Sequence, residues 1–115
     1  MPFQLGVQSA DRPTDARRYE LQLQRGDTVL LGSDGVFDNV EDAAIVGALS
    51  ATARSPPQTQ ARAVAHAAYT VSKDARAWTP FGKHALQTTG QRWLGGKEDD
   101  VTVLVLHFGH DYASL

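Results

Sequence analysis

The sequence predicts an α+β layered domain. Two apolar runs, at 28–32 and 101–108, read as strands, and the stretch between them carries apolar residues at helical spacing. A third run, 19–24, alternates apolar and polar positions as a half-buried strand does. Strands followed by helices and then a strand is the element order of a layered α+β arrangement.

Residues 1–18 are polar and irregular, punctuated by Pro2 and Pro13. In 19–24, Tyr19, Leu21 and Leu23 share one face. Arg25-Gly26-Asp27 reads as a tight turn, which makes 19–24 and 28–32 a hairpin. A helix is expected over 41–53, where Ala44, Ile45, Ala48, Leu49 and Thr52 recur at helical spacing. Asp38 or Asn39 can cap it, and Glu41 and Asp42 suit the positive end of its dipole. Ser55-Pro56-Pro57-Gln58 opens a second helix: serine caps, proline takes the first turn and glutamine follows three residues on, a capping-box pattern. Ala61, Val64, Ala65 and Ala68 then form a small-residue stripe suited to close packing. Residues 73–79 read as loop, 80–86 as a short helix, and 90–100 as a Gly-containing loop carrying Trp93. Residues 101–108 are apolar on both faces, so they are expected to form a central strand covered on both sides. The last seven residues read as a frayed tail. Three strands make a poor sheet by themselves, so the last strand calls for neighbours from a larger domain.

Composition narrows the function. The chain has 115 residues, 42% of them hydrophobic and 21% charged, the size and balance of one small globular domain. A net charge of −2 leaves no basic footprint for nucleic acid. With no cysteine, disulfides, thiolate metal sites and cysteine nucleophiles are excluded. No apolar run reaches the ~18 residues of a membrane span. The first residues lack the basic and apolar regions of a signal peptide, and they are not an Arg-rich presequence.

Two carboxylates stand out. Asp34 lies where the 28–32 run breaks into an acidic turn, and Asp99 lies in the acidic turn feeding the 101–108 run. Pairing those strands would bring the two together. Carboxylates fixed at strand ends are hard oxygen ligands of the kind Mg2+ or Mn2+ prefers. Gly35 would let backbone come close to an ion or phosphate, and Asp38 could support from behind the ligands. Simpler readings stand beside these. Ser33-Asp34-Gly35 is also ordinary turn chemistry, Asp38 a helix cap, and Glu98-Asp99-Asp100 a solvated loop. Carboxylates directly before a buried strand are costly unless a cation or donors compensate, which favours ligation.

His66, His84, His107 and His110 show no metal-ligand spacing; His66 suits a helix surface and His107 is expected to point outward. Ser33 and Ser50 have no nucleophile-elbow context, and Gly95-Gly96 is too short for a phosphate loop. Trp78 and Trp93 suit packing better than base stacking.

The segment Gly26-Asp27-Thr28-Val29-Leu30-Leu31-Gly32-Ser33-Asp34-Gly35-Val36-Phe37-Asp38-Asn39 resembles the penultimate motif of the type 2C metal-dependent protein serine/threonine phosphatases. Gly95-Gly96-Lys97-Glu98-Asp99-Asp100-Val101-Thr102-Val103-Leu104-Val105 resembles their final motif. This version is similar to the subgroup found in mitochondria and chloroplasts, as are Pro2-Phe3-Gln4-Leu5, Asp15-Ala16 and Pro80-Phe81. The resemblance implies the C-terminal part of a four-layer α-β-β-α sandwich with antiparallel sheets. It implies that Asp34 and Asp99 bind metal and that Gly35, Asp38 and Asp100 stand behind them. Asp100 occupies a position where many members have asparagine. The implied chemistry is hydrolysis of phosphoserine and phosphothreonine in proteins by a water activated at a two-metal Mn2+ or Mg2+ site. No phosphoenzyme is needed, in keeping with the lack of a convincing nucleophile.

The departure from the family is at the N-terminal side. The family's N-terminal acidic motif and bridging Asp-Gly motif do not occur before Asp34, and neither Asp11 nor Asp15 is followed by glycine. Residues 1–115 are therefore expected to be the C-terminal segment of a phosphatase domain, monomeric when complete. A non-catalytic half-domain that binds a partner is the alternative. The compartment is not written in the chain; the subgroup implies a mitochondrial or plastid address, and otherwise a cytoplasmic one.

Overall fold

The computed structural model describes residues 6–109. Pro2-Phe3-Gln4-Leu5, His110 and nearly all of the expected C-terminal tail lie outside the described residues. A 3-10 turn at Pro13–Asp15 is followed by strand β1 (Thr28–Gly32), helices α1 (Asp34–Phe37), α2 (Asp42–Ala51), α3 (Pro57–Ser72) and α4 (Pro80–Thr89), and strand β2 (Val103–His107). No helix among the described residues is long and apolar enough to cross a membrane.

The sheet differs from the expected hairpin. β1 pairs with β2, antiparallel, from Thr28 opposite His107 to Gly32 opposite Val103. Residues 19–24 form no strand, and Tyr19 and Leu21 are more than three-quarters exposed or close to it, at 75% and 77%. Their alternation marks an apolar face, but no described strand is available to pair with it. The Arg25–Asp27 turn instead ties to the end of β2: Gly26 N donates to Phe108 O at 2.8 Å and Phe108 N to Asp27 O at 2.9 Å.

One face of the sheet is packed. Leu30 and Val103 lie against a small core of Val36, Val40, Ile45, Val64 and Ala68, with Ala48, Leu49 and Val101 around it. α3 supplies the wall, burying Gln60, Val64, Ala68 and Ser72 at intervals of four, so the expected stripe is displaced: Ala61 and Ala65 are only half-buried. His107 also faces inward rather than outward. Its Nε2 donates to Gln60 Oε1, and Gln60 Nε2 donates to Leu49 O at 3.0 Å, so one buried amide links α3, β2 and α2. An apolar core this small feels each methyl group. Val64 is fully buried, and Val64→Ala is expected to destabilise the chain by about 2 kcal/mol, read as a lowered denaturant midpoint at unchanged slope.

The other face is open. The 101–108 run was expected to be covered on both sides, but Leu104, Leu106 and Phe108 are about half exposed, and so is Leu31, the cross-strand partner of Leu104. The Cα radius of gyration, 16.5 Å, exceeds the about 13 Å of a compact domain of this length. The double-sided apolar pattern of β2 is thus half satisfied within the described chain.

The helix ends also differ in detail. Glu41, not Asp38 or Asn39, is the residue before α2, and Pro56 stands before α3, so the capping box at Ser55 does not form. α4 runs three residues past its expected end. Thr79 caps it by accepting from Gly82 N at 3.1 Å, and Gly90, at φ 71°, closes it in a left-handed conformation.

Candidate metal centre

The two acidic loops meet because β1 ends where β2 begins. One rung beyond Gly32 and Val103, Ser33 N donates to Thr102 O at 3.0 Å. The Ser33 hydroxyl accepts from Thr102 N and donates to Asp100 O, both at 3.0 Å. The chain then turns sharply. Asp34 opens α1, a single helical turn that the Ser-Asp-Gly spelling hid behind its loop-like composition.

Gly35 is buried, and its Cα faces the Asp100 carbonyl so closely that an added Cβ would lie 2.3 Å from that oxygen. The glycine therefore serves the approach of the two loops. Beyond it, Asn39 is 3% exposed and bridges them. Its Nδ2 donates to Gly35 O and to Lys97 O, and its Oδ1 accepts from Lys97 N, each at 2.8 Å. Sequence reasoning treated Asn39 only as a possible cap. The signal that could have found it is its place one residue after the acidic motif, where a primary amide can serve two backbones at once.

Asp38 caps no side-chain site on α2. Its carboxylate takes Lys97 Nζ at 3.4 Å, and the same ammonium lies 4.3 Å from the centre of the Phe81 ring. Phe81, in the first turn of α4, packs edge-to-face on Trp93 at 5.4 Å, so Trp93 anchors the 90–100 loop on that helix. Phe81 N also donates to Asp38 O at 3.0 Å. The 90–100 loop is pinned from the other side too, through Gly95 N to Ala77 O at 2.9 Å and Gly96 N to Asp74 O at 2.8 Å.

Asp34, Asp99 and Asp100 are all exposed. Asp99 is thus not a carboxylate buried before a strand; its Oδ1 accepts from Asp100 N at 2.8 Å and the rest of the group faces outward. The structure brings the loops of Asp34, Gly35, Asp38, Asp99 and Asp100 together, and among the described residues no histidine forms a ligand cluster with them. A separate cleft lies away from these loops. It holds about 260 Å³ near the start of β1, lined by Gly26, Thr28, Val46, Leu49, Ser50, Ala53 and Gln60, and it contains no carboxylate.

The donor chemistry fits a hard divalent cation in part. Two exposed carboxylates on rigidly joined loops offer oxygen ligands, which Mg2+ and Mn2+ favour. Among the described residues, however, no group of three or more His, Cys, Asp or Glu side chains converges. Asp34 and Asp99 could hold one side of such an ion; the remaining ligands must come from elsewhere.

The chain is similar to known proteins over most of its length. The model of the stage II sporulation protein E (SpoIIE) family matches residues 1–109. A rice (Oryza sativa subsp. japonica) protein, putative protein phosphatase 2C 24, is 39% identical over 109 residues. The chain belongs to the SpoIIE and type 2C protein phosphatase family. The rice match covers 92% of the chain and 34% of the relative. The human protein phosphatase PTC7 homolog is 35% identical over 115 residues, covering 90% of the chain and 38% of that protein. Among solved structures, the photosystem II phosphatase PBCP superposes with a TM-score of 0.74 at 31% identity, over 80% of this chain and 40% of that one. The mixed architecture is therefore that of the type 2C fold, and the chain spans little more than a third of the length of these curated relatives.

Proposed function

We propose that this chain is the C-terminal segment of a metal-dependent phosphatase acting on phosphoserine and phosphothreonine in proteins. The observation that supports the reading most is the joining of the Asp34 and Asp99 loops by Ser33 and Asn39. Two loops from distant sequence, each carrying an exposed carboxylate, are thereby tied together. Asp34 and Asp99 would bind Mn2+ or Mg2+, with other ligands supplied by the rest of the domain. The cations, when bound, supply an activated water and charge neutralisation at the phosphoryl group. Asp38 would hold Lys97, and with it the 95–100 loop, while Asp100 would lend its backbone to Ser33 and Gly35. The substrate class and the monomeric state are carried over from the family resemblance, and so is the mitochondrial or plastid address of this motif version.

The test is phosphate release from phosphothreonine, phosphoserine and phosphotyrosine peptides by the complete protein, with Mn2+ or Mg2+ and with a chelator. Release from the first two, abolished by the chelator and restored by either ion, is expected. Chelator-resistant hydrolysis, or preference for phosphotyrosine, would count against the proposal.

A second reading is favoured by the open sheet face. As a non-catalytic half-domain, the chain would use Leu31, Leu104, Leu106 and Phe108 to engage another protein surface, and its strand edges would promote association. It predicts concentration-dependent sedimentation of the 115-residue chain, reduced by Leu104→Lys with Leu106→Lys. A stable, active monomer would rule it out.

A further inference from the structure

We propose that Asn39 is a positioning residue: its buried side-chain amide sets the spacing of the Asp34 and Asp99 carboxylates, and hence divalent-cation affinity, without touching the ion. The inference rests on the reading of Asp34 and Asp99 as ligands.

The amide is fully used. Both Nδ2 hydrogens go to carbonyls, of Gly35 and Lys97, and Oδ1 takes the Lys97 N–H. Only one orientation of the amide satisfies these partners, because two acceptors and one donor face it. The partners are placed to matter. The Gly35 carbonyl belongs to the residue directly after Asp34, and Lys97 lies two residues before Asp99. Asn39 thus clamps one flank of each carboxylate. Ser33 clamps the opposite flanks, being the residue before Asp34 and bonding to Asp100 and Thr102 on either side of Val101. Between the clamps, Gly35 admits the Asp100 carbonyl where no side chain would fit.

These contacts leave the two carboxylate loops little freedom to drift apart. Groups that orient metal ligands from behind typically cost 10- to 100-fold in metal affinity when removed. Asn39→Leu keeps the size of the side chain and removes all three bonds. Asn39→Asp keeps the bond from Lys97 N but sets a carboxylate oxygen against two carbonyls.

The experiment is a Mn2+ titration of the complete protein, read by site-specific paramagnetic broadening of backbone amide signals, which also registers weak binding. Wild type is compared with Asn39→Leu, Asn39→Asp, Ser33→Ala, Asp34→Ala and Val64→Ala. Broadening centred on the amides near 34 and 99 is expected in wild type, with affinity falling about tenfold or more in both Asn39 variants. Ser33→Ala, at a half-exposed position, is expected to weaken binding in the same direction and keeps the test decisive if the Asn39 variants fail to fold. Val64→Ala, on α3 in the core beneath the loops, touches none of the clamping hydrogen bonds; it is expected to lose stability and keep Mn2+ affinity, which separates positioning from general loosening. If Asp34→Ala loses binding while Asn39→Leu, Asn39→Asp and Ser33→Ala bind as wild type does, positioning is overturned and the ligand reading stands. Should wild type show no localised broadening, or Asp34→Ala retain it, the ligand reading fails and this inference falls with it.

Discussion

Asp34→Ala and Asp99→Ala are each expected to reduce Mn2+- or Mg2+-dependent phosphate release by the complete protein about a thousandfold or more. A correctly held cation contributes several kcal/mol to the transition state, and each ~1.4 kcal/mol is a factor of ten in rate. Both carboxylates are exposed, so their removal leaves no cavity and should not unfold the chain. The loss should therefore appear in kcat and in metal dependence, with thermal unfolding almost unchanged. Full activity in both variants, in the same assay, would remove the basis for assigning them as ligands.

Gly35→Ala is the second large effect, and it acts through shape. The added methyl would sit 2.3 Å from the Asp100 carbonyl oxygen and 3.3 Å from Val101 Cγ2. A backbone carbonyl cannot swing aside as a side-chain tip can, so one loop must move. Overpacking of this kind costs about 1–3 kcal/mol, and at roughly 4 °C per kcal/mol the melting temperature should fall by about 4–12 °C. Because the displaced carbonyl belongs to the residue after Asp99, metal affinity should fall as well. A variant with wild-type melting temperature and wild-type metal response would show that the loops are not packed as described.

Much of this was legible in the sequence, for identifiable reasons. The 28–32 and 101–108 runs, and the helices starting near 42, 57 and 80, are local patterns, and local periodicity reports them directly. The two acidic turns were legible as a pair because each sits at a strand end. What escaped depended on distant partners. The alternation at 19–24 predicts a strand truthfully only if a neighbour is present to pair with it, and β1 took β2 instead. The single turn of α1 is too short to show a period, and Ser-Asp-Gly spells a loop as well as a helix start. The inward turn of His107 depends on Gln60, far back in the chain, whose buried amide gives the ring a partner. The clamp at Asn39 lies furthest from sequence logic. Its three bonds go to backbone atoms of residues 35 and 97, and backbone partners leave no mark on residue identity.

The most direct measurement is a double-mutant cycle on metal-dependent phosphate release, using Asp34→Ala, Asp99→Ala and the pair together. If the two carboxylates serve one cation site, either loss disables it, and the double variant should be about as impaired as the worse single one. If the two effects multiply instead, Asp34 and Asp99 act independently, and a shared metal centre at the junction of β1 and β2 is contradicted.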